Sequence, residues 1–343
     1  MSPGVFRVAI VGAATLKGRE LADVLKERNF PARDIKLLDD DESLGQLEAV
    51  GDEVTFVQSI IPDNFQNVDF AFFASDEKFT SRNWQLAKAA GSAIVDLSYA
   101  LESEPGATVR APWVERELRR QIAPELQPAP VMTAHPAAVV LALLLLRARK
   151  AGTVRTSVAT VIEPASEHGK RGMDELHEQT VNLLSFRELP KQVFDSQVAF
   201  NLIARYGDMA RPTMETIERR IATHFERITG ASVSVPSLML LQAPSFHGHA
   251  FSVYVELERA VPASEFARAL SGEHVILSQL AEDSPSNVNA AGQDDIMIAV
   301  RRDARRDNGF WIWAAADNLR VTAISAVECA ETMATARPKG KVQ

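Results

Sequence analysis

Short apolar runs alternate along the first third of the chain with segments whose apolar residues recur every three or four positions. The first run, Phe6–Val11 (FRVAIV), is unbroken and β-branched, the pattern of a strand covered on both faces. The turn GAATLKG, Gly12–Gly18, follows, and then the helical pattern RELADVLKER. Further strands are expected at Asp34–Leu38, Val68–Phe73, Ala93–Leu97 and Val131–Thr133, with a strand or hairpin at Glu53–Ser59 and a helix at Thr80–Ala90. Glu104–Gly106 and Pro124–Pro130 read as loops. Strands and helices alternating at this spacing predict an α/β fold with a doubly wound, mostly parallel sheet.

The stretch Val131–Leu146, VMTAHPAAVVLALLLL, reads as a short strand, a His-Pro turn and a buried helix. A nucleophile of an α/β enzyme would sit at the start of such a helix, where the N-terminal dipole stabilises an anion. Here Ala137 and Ala138 stand there, and a methyl group neither attacks a carbonyl nor transfers a proton. Beyond Ala151 the texture changes. Thr153–Ile162 alternates as a strand, EPASEHGKRG (Glu163–Gly172) reads as a polar loop, and Met173–Leu184 and Thr213–Ile228 read as helices. Strands follow at Ser232–Ala243 and Ala250–Leu257, then a helix at Ala263–Leu270 and a hairpin pairing Ile296–Arg301 with Phe310–Ala316. This half predicts an α+β domain with an antiparallel or mixed sheet. A last helix, Leu319–Ala334, is expected to pack back on the first domain.

With 343 residues, 46% of them hydrophobic and 24% charged, the chain has room for two domains of ordinary globular composition. A net charge of −8 offers no electrostatic attraction for nucleic acid or an anionic membrane. The one cysteine, Cys329, excludes an intrachain disulfide and a cysteine zinc cluster. No leader pattern and no apolar stretch of membrane-spanning length is evident, so the expected location is cytoplasmic.

Candidate chemistry is concentrated at a few positions. Strand, glycine turn and helix in this order suit a dinucleotide site, although Thr15 replaces the middle glycine; a tight turn without ligand is the alternative. The acidic run Asp39–Glu42 (DDDE) at the end of the second strand suits a ribose hydroxyl and repels the extra phosphate of NADP, or is a solvated loop. His247 and His249, two apart on an expected strand, would share a face, but no third metal ligand is evident from spacing and no metal is expected. His249 otherwise reads as an acid–base group or a structural histidine. His135 either faces a ligand or caps the helix after Pro136, and Glu163, Glu167 and His168 are acid–base candidates or solvated groups. Cys329 reads as a buried structural thiol.

These segments together resemble the aspartate-semialdehyde dehydrogenase family across nearly the whole chain. GAATLKG matches its GATGxVG-like turn, FASD (Phe73–Asp76) an F-S-A-G strand end, and IVD (Ile94–Asp96) a VVD strand. GKRGMDEL (Gly169–Leu176), AFN (Ala199–Asn201), Gly248–His249, VNA (Val288–Ala290) and DNLR (Asp317–Arg320) follow in the family's order. The resemblance implies a Rossmann-type NAD(P)-binding domain over residues 1–137, completed by 319–343, and an α+β dimerisation domain over 138–318. It also implies a homodimer, NADP or NAD as cofactor, and Gly12, Ala14, Thr15, Leu16, Gly18, Ser75 and Asn318 as cofactor-binding positions. Thr15 and Asp76 stand where the family has glycine, which implies a weakened cofactor site.

In that family a cysteine thiolate in an N-P-N-C-S/T turn attacks the aldehyde, hydride passes to NADP, and phosphate releases the acyl group. HPAAV places Ala138 at the cysteine. Glu163 stands at the orienting glutamine, Gln242 at the arginine for the substrate carboxylate, and Glu102 at a phosphate-binding arginine. His249 matches the family histidine. A thiolate and cationic clamps are what the reaction needs. Their combined loss makes the chain most similar to the Usg-type paralogues that lack the cysteine. The expected function is therefore that of a paralogue without the family activity that binds NAD(P) or a small metabolite. The alternatives are an NAD(P)-dependent aldehyde oxidoreductase of altered chemistry and a structural partner in mixed dimers.

Overall fold

The computed structural model describes residues 5–40, 45, 47–50, 53–120, 129–278 and 284–336. Asp41 and Glu42 of the acidic run, and Pro124–Pro128 of the expected loop, lie outside the described residues. The chain divides into two compact units, Met1–Ala134 with Thr322–Gln343, and His135–Val321.

In the first unit β1 (Phe6–Val11) leads into α1 (Leu16–Glu27), β2 (Ala32–Asp39), the antiparallel hairpin β3 (Leu47–Val50) and β4 (Glu53–Phe56), and the short β5 (Gln58–Ser59). There follow β6 (Phe70–Phe73), α2 (Glu77–Ala89), β7 (Ala93–Asp96), β8 (Thr108–Arg110), α3 (Pro112–Glu117) and β9 (Val131–Thr133). Seven of these strands form one parallel sheet in the order β5-β2-β1-β6-β7-β9-β8. The unbroken apolar runs are explained by burial on both faces: Val8–Val11, Phe70–Phe73 and Ala93–Asp96 are all buried. Phe65, Phe73, Trp84 and Ile94 belong to the core on one side. Strand order reverses between β1 and β6, and Val11 pairs with both Leu38 and Phe73 while Phe73 pairs with Asp96. Asp39, the last residue of β2, and the residues that follow the other strands, Gly12, Ala74 and Leu97, therefore line one carboxyl edge at a topological switch point, where doubly wound sheets bind ligands.

The second unit begins with α4 (Pro136–Ala151), β10 (Val154–Glu163), α5 (Gly169–Leu184), α6 (Met214–Thr229), β11 (Ser237–Gln242) and β12 (His249–Leu257). It continues with α7 (Ala263–Leu270), β13 (Val275–Leu277), α8 (Asn287–Ala290), β14 (Ile296–Arg302) and β15 (Gly309–Ala316). A final helix, α9 (Asn318–Ala336), has its first turn here and the rest in the first unit. The mixed six-stranded sheet runs β11-β10-β12-β15-β14-β13. Glu163 pairs with Gln242, Ile162 with Ala250, and His249 with Ala316, so the ends of four strands converge at one edge. Pro136 opens α4 with its φ preset and no N–H to satisfy, and Val139–Leu145 are almost wholly buried.

Several expectations are corrected. The segment after Ile162 is no polar loop: Glu163 ends β10, Ala165–His168 form a 3₁₀ turn, and α5 already starts at Gly169. The strand expected from Ser232 begins only at Ser237, because a 3₁₀ turn occupies Gly230–Ser232. His247 lies in the turn before β12, so it does not share a strand face with His249. The short elements β8, α3, β13 and α8 have no counterpart in the sequence reading.

Candidate functional site

The glycine turn of the first unit is held in one conformation by its own atoms. Gly12 has φ +86°, and a Cβ there would stand 2.6 Å from the Ser75 amide nitrogen. A Cβ on Gly18 would meet the Gly12 carbonyl oxygen at 2.2 Å. The two outer glycines thus provide the tight turn and the close approach of helix to strand that a dinucleotide turn requires. Thr15 caps α1: its Oγ1 accepts the Gly18 N–H and donates towards the carbonyls of Gly12 and Ala74. Such a cap stabilises a helix by about 1 kcal/mol. Asp76 caps α2 through the Phe79 N–H. Ala14, Leu16 and Ser75 are half-buried on the same turn and strand end.

Farther along this edge Asp96 is wholly buried, accepting from the Ser98 N–H, the Ser98 hydroxyl and the Leu101 N–H. Burial raises its pKa, and those hydrogen bonds with the charge of Lys17 oppose the rise. The Lys17 ammonium donates to the Leu97 carbonyl and lies 4.8 Å from the Tyr99 ring centre. Glu102 is half-buried in the next turn, its N–H donating to the Tyr99 carbonyl.

In the second unit a polar cluster is built where β10 and β11 end and β12 begins. Ala138 is the third residue of α4 and wholly buried, its N–H directed to the His135 carbonyl. His135 is the N-cap, with Nδ1 accepting the Ala137 N–H, so the capping reading holds. That bond fixes the tautomer, with the ring proton on Nε2. The same nitrogen lies 3.9 Å from one oxygen of Glu167, and His249 Nε2 lies 3.9 Å from the other. These two imidazoles, 2% and 1% exposed as side chains, flank one carboxylate that is 7% exposed. His224 accepts the His135 N–H on Nδ1.

A directional chain runs beside them. His168 Nε2 lies 2.9 Å from the Tyr206 hydroxyl, which donates to Gln242 Oε1 at 2.7 Å. The Gln242 amide donates to the carbonyls of Glu163 and Ala243. Every polar atom of the Gln242 side chain is therefore engaged within the protein. Glu163 is wholly buried, with Oε1 3.4 Å from His168 Nε2 and 3.5 Å from the Tyr206 hydroxyl; Oε2 has no hydrogen-bond partner. Burial and the Glu163 charge push the Tyr206 phenol well above its ordinary pKa, so it serves as a fixed donor. Asn318 Oδ1 accepts from the Gly248 N–H and the Ser166 hydroxyl, next to His249.

Of the predicted positions, Ala138, Glu163, Gln242, His249 and Asn318 thus fall in one neighbourhood. Gly12, Ala14, Thr15, Leu16, Gly18 and Ser75 fall in another, and Glu102 follows the buried Asp96. Tyr206 and His224 escaped sequence reading; Tyr206 lies in a stretch without regular elements, and no local pattern marks either. Among the described residues no group of three or more His, Cys, Asp or Glu is disposed to hold a metal ion, and no helix is long and apolar enough to cross a membrane. Chemically, the cluster holds imidazoles, carboxylates and a phenol, suited to proton transfer and hydrogen bonding, with alanine at the head of the helix.

The sequence profile of the semialdehyde dehydrogenase NAD binding domain matches residues 7–122, and that of the semialdehyde dehydrogenase dimerisation domain matches residues 143–321. The chain belongs to the semialdehyde dehydrogenase family. A USG-1 protein homolog of Azotobacter vinelandii is 32% identical over 97% of this semialdehyde dehydrogenase family chain and 98% of its own. An aspartate-semialdehyde dehydrogenase of Rickettsia bellii is 29% identical over 96% and 97%. The solved structure of a probable aspartate-semialdehyde dehydrogenase from Pseudomonas aeruginosa superposes with a TM-score of 0.83 at 30% identity, over 96% of this chain and 98% of that one. The parallel Rossmann-like sheet and the second, mixed sheet agree with the fold that the sequence resemblance implies.

Proposed function

We propose that this member of the semialdehyde dehydrogenase family has left the cysteine-dependent reaction and acts by binding a dinucleotide or a small metabolite as a homodimer. The observation that carries the reading is the head of α4, where Ala138 is wholly buried as the third helical residue, the position that the family resemblance gives to the nucleophile. An acyl intermediate needs a nucleophile there, and alanine has none. The hydrogen bonding of Gln242 supports the same reading, because a neutral amide already engaged with Tyr206 and two backbone carbonyls provides no charge for an anionic substrate. Dinucleotide binding is supported by the glycine turn, whose outer glycines keep the required geometry. A bound NAD(P) would supply hydride exchange; this chain's own residues would hold it at Gly12–Gly18 and Ser75. Dimerisation is supported by the matched dimerisation domain and by exposed apolar side chains on the second unit, among them Leu184, Phe186, Phe200 and Met209.

A second reading, an aldehyde oxidoreductase without a covalent intermediate, is favoured by one observation. The buried His249 Nε2 lies within 3.9 Å of the Glu167 carboxylate, an arrangement suited to moving a proton. An assay of the purified protein with aspartate semialdehyde, phosphate and NADP, run beside calorimetric titration with nucleotide, tests both. Binding without turnover is expected. Turnover of the semialdehyde at about 1 s⁻¹ or more, the ordinary enzyme range, would overturn the first reading. Nucleotide-dependent reduction of other aldehydes would favour the second.

A further inference from the structure

We propose that the first unit selects NAD(H) over NADP(H), and that Asp39 is the residue that discriminates. The inference rests on the reading that this unit holds a dinucleotide. Asp39 is the last residue of β2, 21 positions after Gly18, and lies at the carboxyl edge beside the glycine turn. An acidic residue about 20 positions beyond the glycines is where doubly wound folds hydrogen-bond the adenosine ribose.

Two bonds fix the carboxylate there. Oδ2 accepts the Ala14 N–H at 2.9 Å, within the turn itself, and Oδ1 accepts the Asp40 N–H at 2.9 Å. An ionised carboxylate has about four acceptor positions, and these backbone donors hold its plane. Asp39 is 5% exposed, so its charge is little screened by water. A ribose 2′-hydroxyl can donate to such a group. A 2′-phosphate has no proton to donate near neutral pH and carries up to two like charges towards it.

The surrounding sequence adds no compensation. A 2′-phosphate site needs a cation after this strand, as where an arginine accommodates NADP. No lysine, arginine or histidine occurs between Lys36 and Lys78. Lys36 itself donates to the Asn64 carbonyl, and Lys17, on α1, to the Leu97 carbonyl. The end of β2 therefore presents the ribose with an acceptor, and the stretch of chain that follows it brings no cation.

The test is calorimetric titration of the full chain with NADH and with NADPH, in the wild type and in Asp39→Asn. Asparagine keeps an acceptor for the Ala14 N–H and removes the charge. NADH is expected to bind the wild type at least about tenfold more tightly than NADPH, the worth of one charge-assisted hydrogen bond, and Asp39→Asn to bring the two affinities within about threefold. Thermal melting checks that the variant folds. Should it fail to fold, Asp39→Ser, which also removes the charge, takes its place. Equal affinities, tighter NADPH binding, or a preference unaffected by the substitution would overturn Asp39 selection while leaving dinucleotide binding in place. Binding of neither nucleotide at millimolar concentration would overturn both.

Discussion

Covalent thiol chemistry elsewhere in this chain would have to use Cys329, its one cysteine. That thiol is wholly buried on α9, and its pKa is pushed up from 9.0 to about 12. Burial dominates; the Arg110 guanidinium pulls the value down, and Glu115 and Glu328 push it up. A rise of about three units leaves about a thousandfold less thiolate near neutral pH than an ordinary thiol has, before restricted access is counted. Native protein mixed with a chromogenic disulfide reagent should label at least about a thousandfold more slowly than the same chain in urea, with one thiol released only on unfolding. The shift also has a sign in stability. The folded chain holds the thiol proton more tightly than the unfolded chain, so this contribution is whole below pH 9 and is lost as pH rises towards about 12. The slope is up to about 1.4 kcal/mol per pH unit, and Cys329→Ala should flatten that part of the profile. Stoichiometric labelling of the native protein at the unfolded rate would refute the reasoning, and with it the claim that no thiol here is placed for catalysis.

Ala138→Cys should return a thiol to the third position of α4 without restoring semialdehyde oxidation. Adding Gln242→Arg should not restore it either, because the arginine opposes the Tyr206 proton, and either variant turning over at about 1 s⁻¹ would contradict this. Gly12→Ala combines a positive φ with a Cβ 2.6 Å from the Ser75 nitrogen; a loss on the order of 2–4 kcal/mol in urea unfolding of the first unit is expected, and an unchanged midpoint would count against it. Tyr206→Phe strips the Gln242 oxygen of its donor at a wholly buried position. It should destabilise by about 1–3 kcal/mol, and Tyr206→Phe with Gln242→Leu should cost less than the sum of the two single variants; strict additivity in a double-mutant cycle would refute the coupling.

The first unit was legible because strands covered on both faces leave unbroken apolar runs, as at Phe6–Val11 and Phe70–Phe73. The caps Thr15, Asp76 and Thr213, whose side chains accept first-turn N–H groups, were not read as such, and the helix expected from Thr80 starts at Glu77. Three-residue strands such as β8 and β13 carry too little pattern to be seen, and β11 was overextended because Val233 and Val235 resemble strand residues. The acid–base candidates Glu163, Glu167, His168 and His249 were visible as residue types, but not their grouping. That depends on Glu163 pairing with Gln242 and on Ile162 pairing with Ala250, registers set by the whole sheet. Tyr206 and His224 reach the site from separate segments and could be found only in three dimensions.

The buried groups around Gln242 are tied to one another by hydrogen bonding. A buried polar atom needs a partner, and stranding one costs about 1–3 kcal/mol. The Gln242 amide meets the Glu163 and Ala243 carbonyls and the Tyr206 hydroxyl. Tyr206 in turn meets His168, which lies 3.4 Å from the Glu163 carboxylate. An arginine at position 242 has only donors, so it would oppose the Tyr206 proton and lose the acceptor that now receives it. An arginine there therefore leaves a buried group unmatched. A cation at position 242 therefore requires the Tyr206–His168 pair to change with it, because the acceptor that now receives the Tyr206 proton is part of the same buried chain.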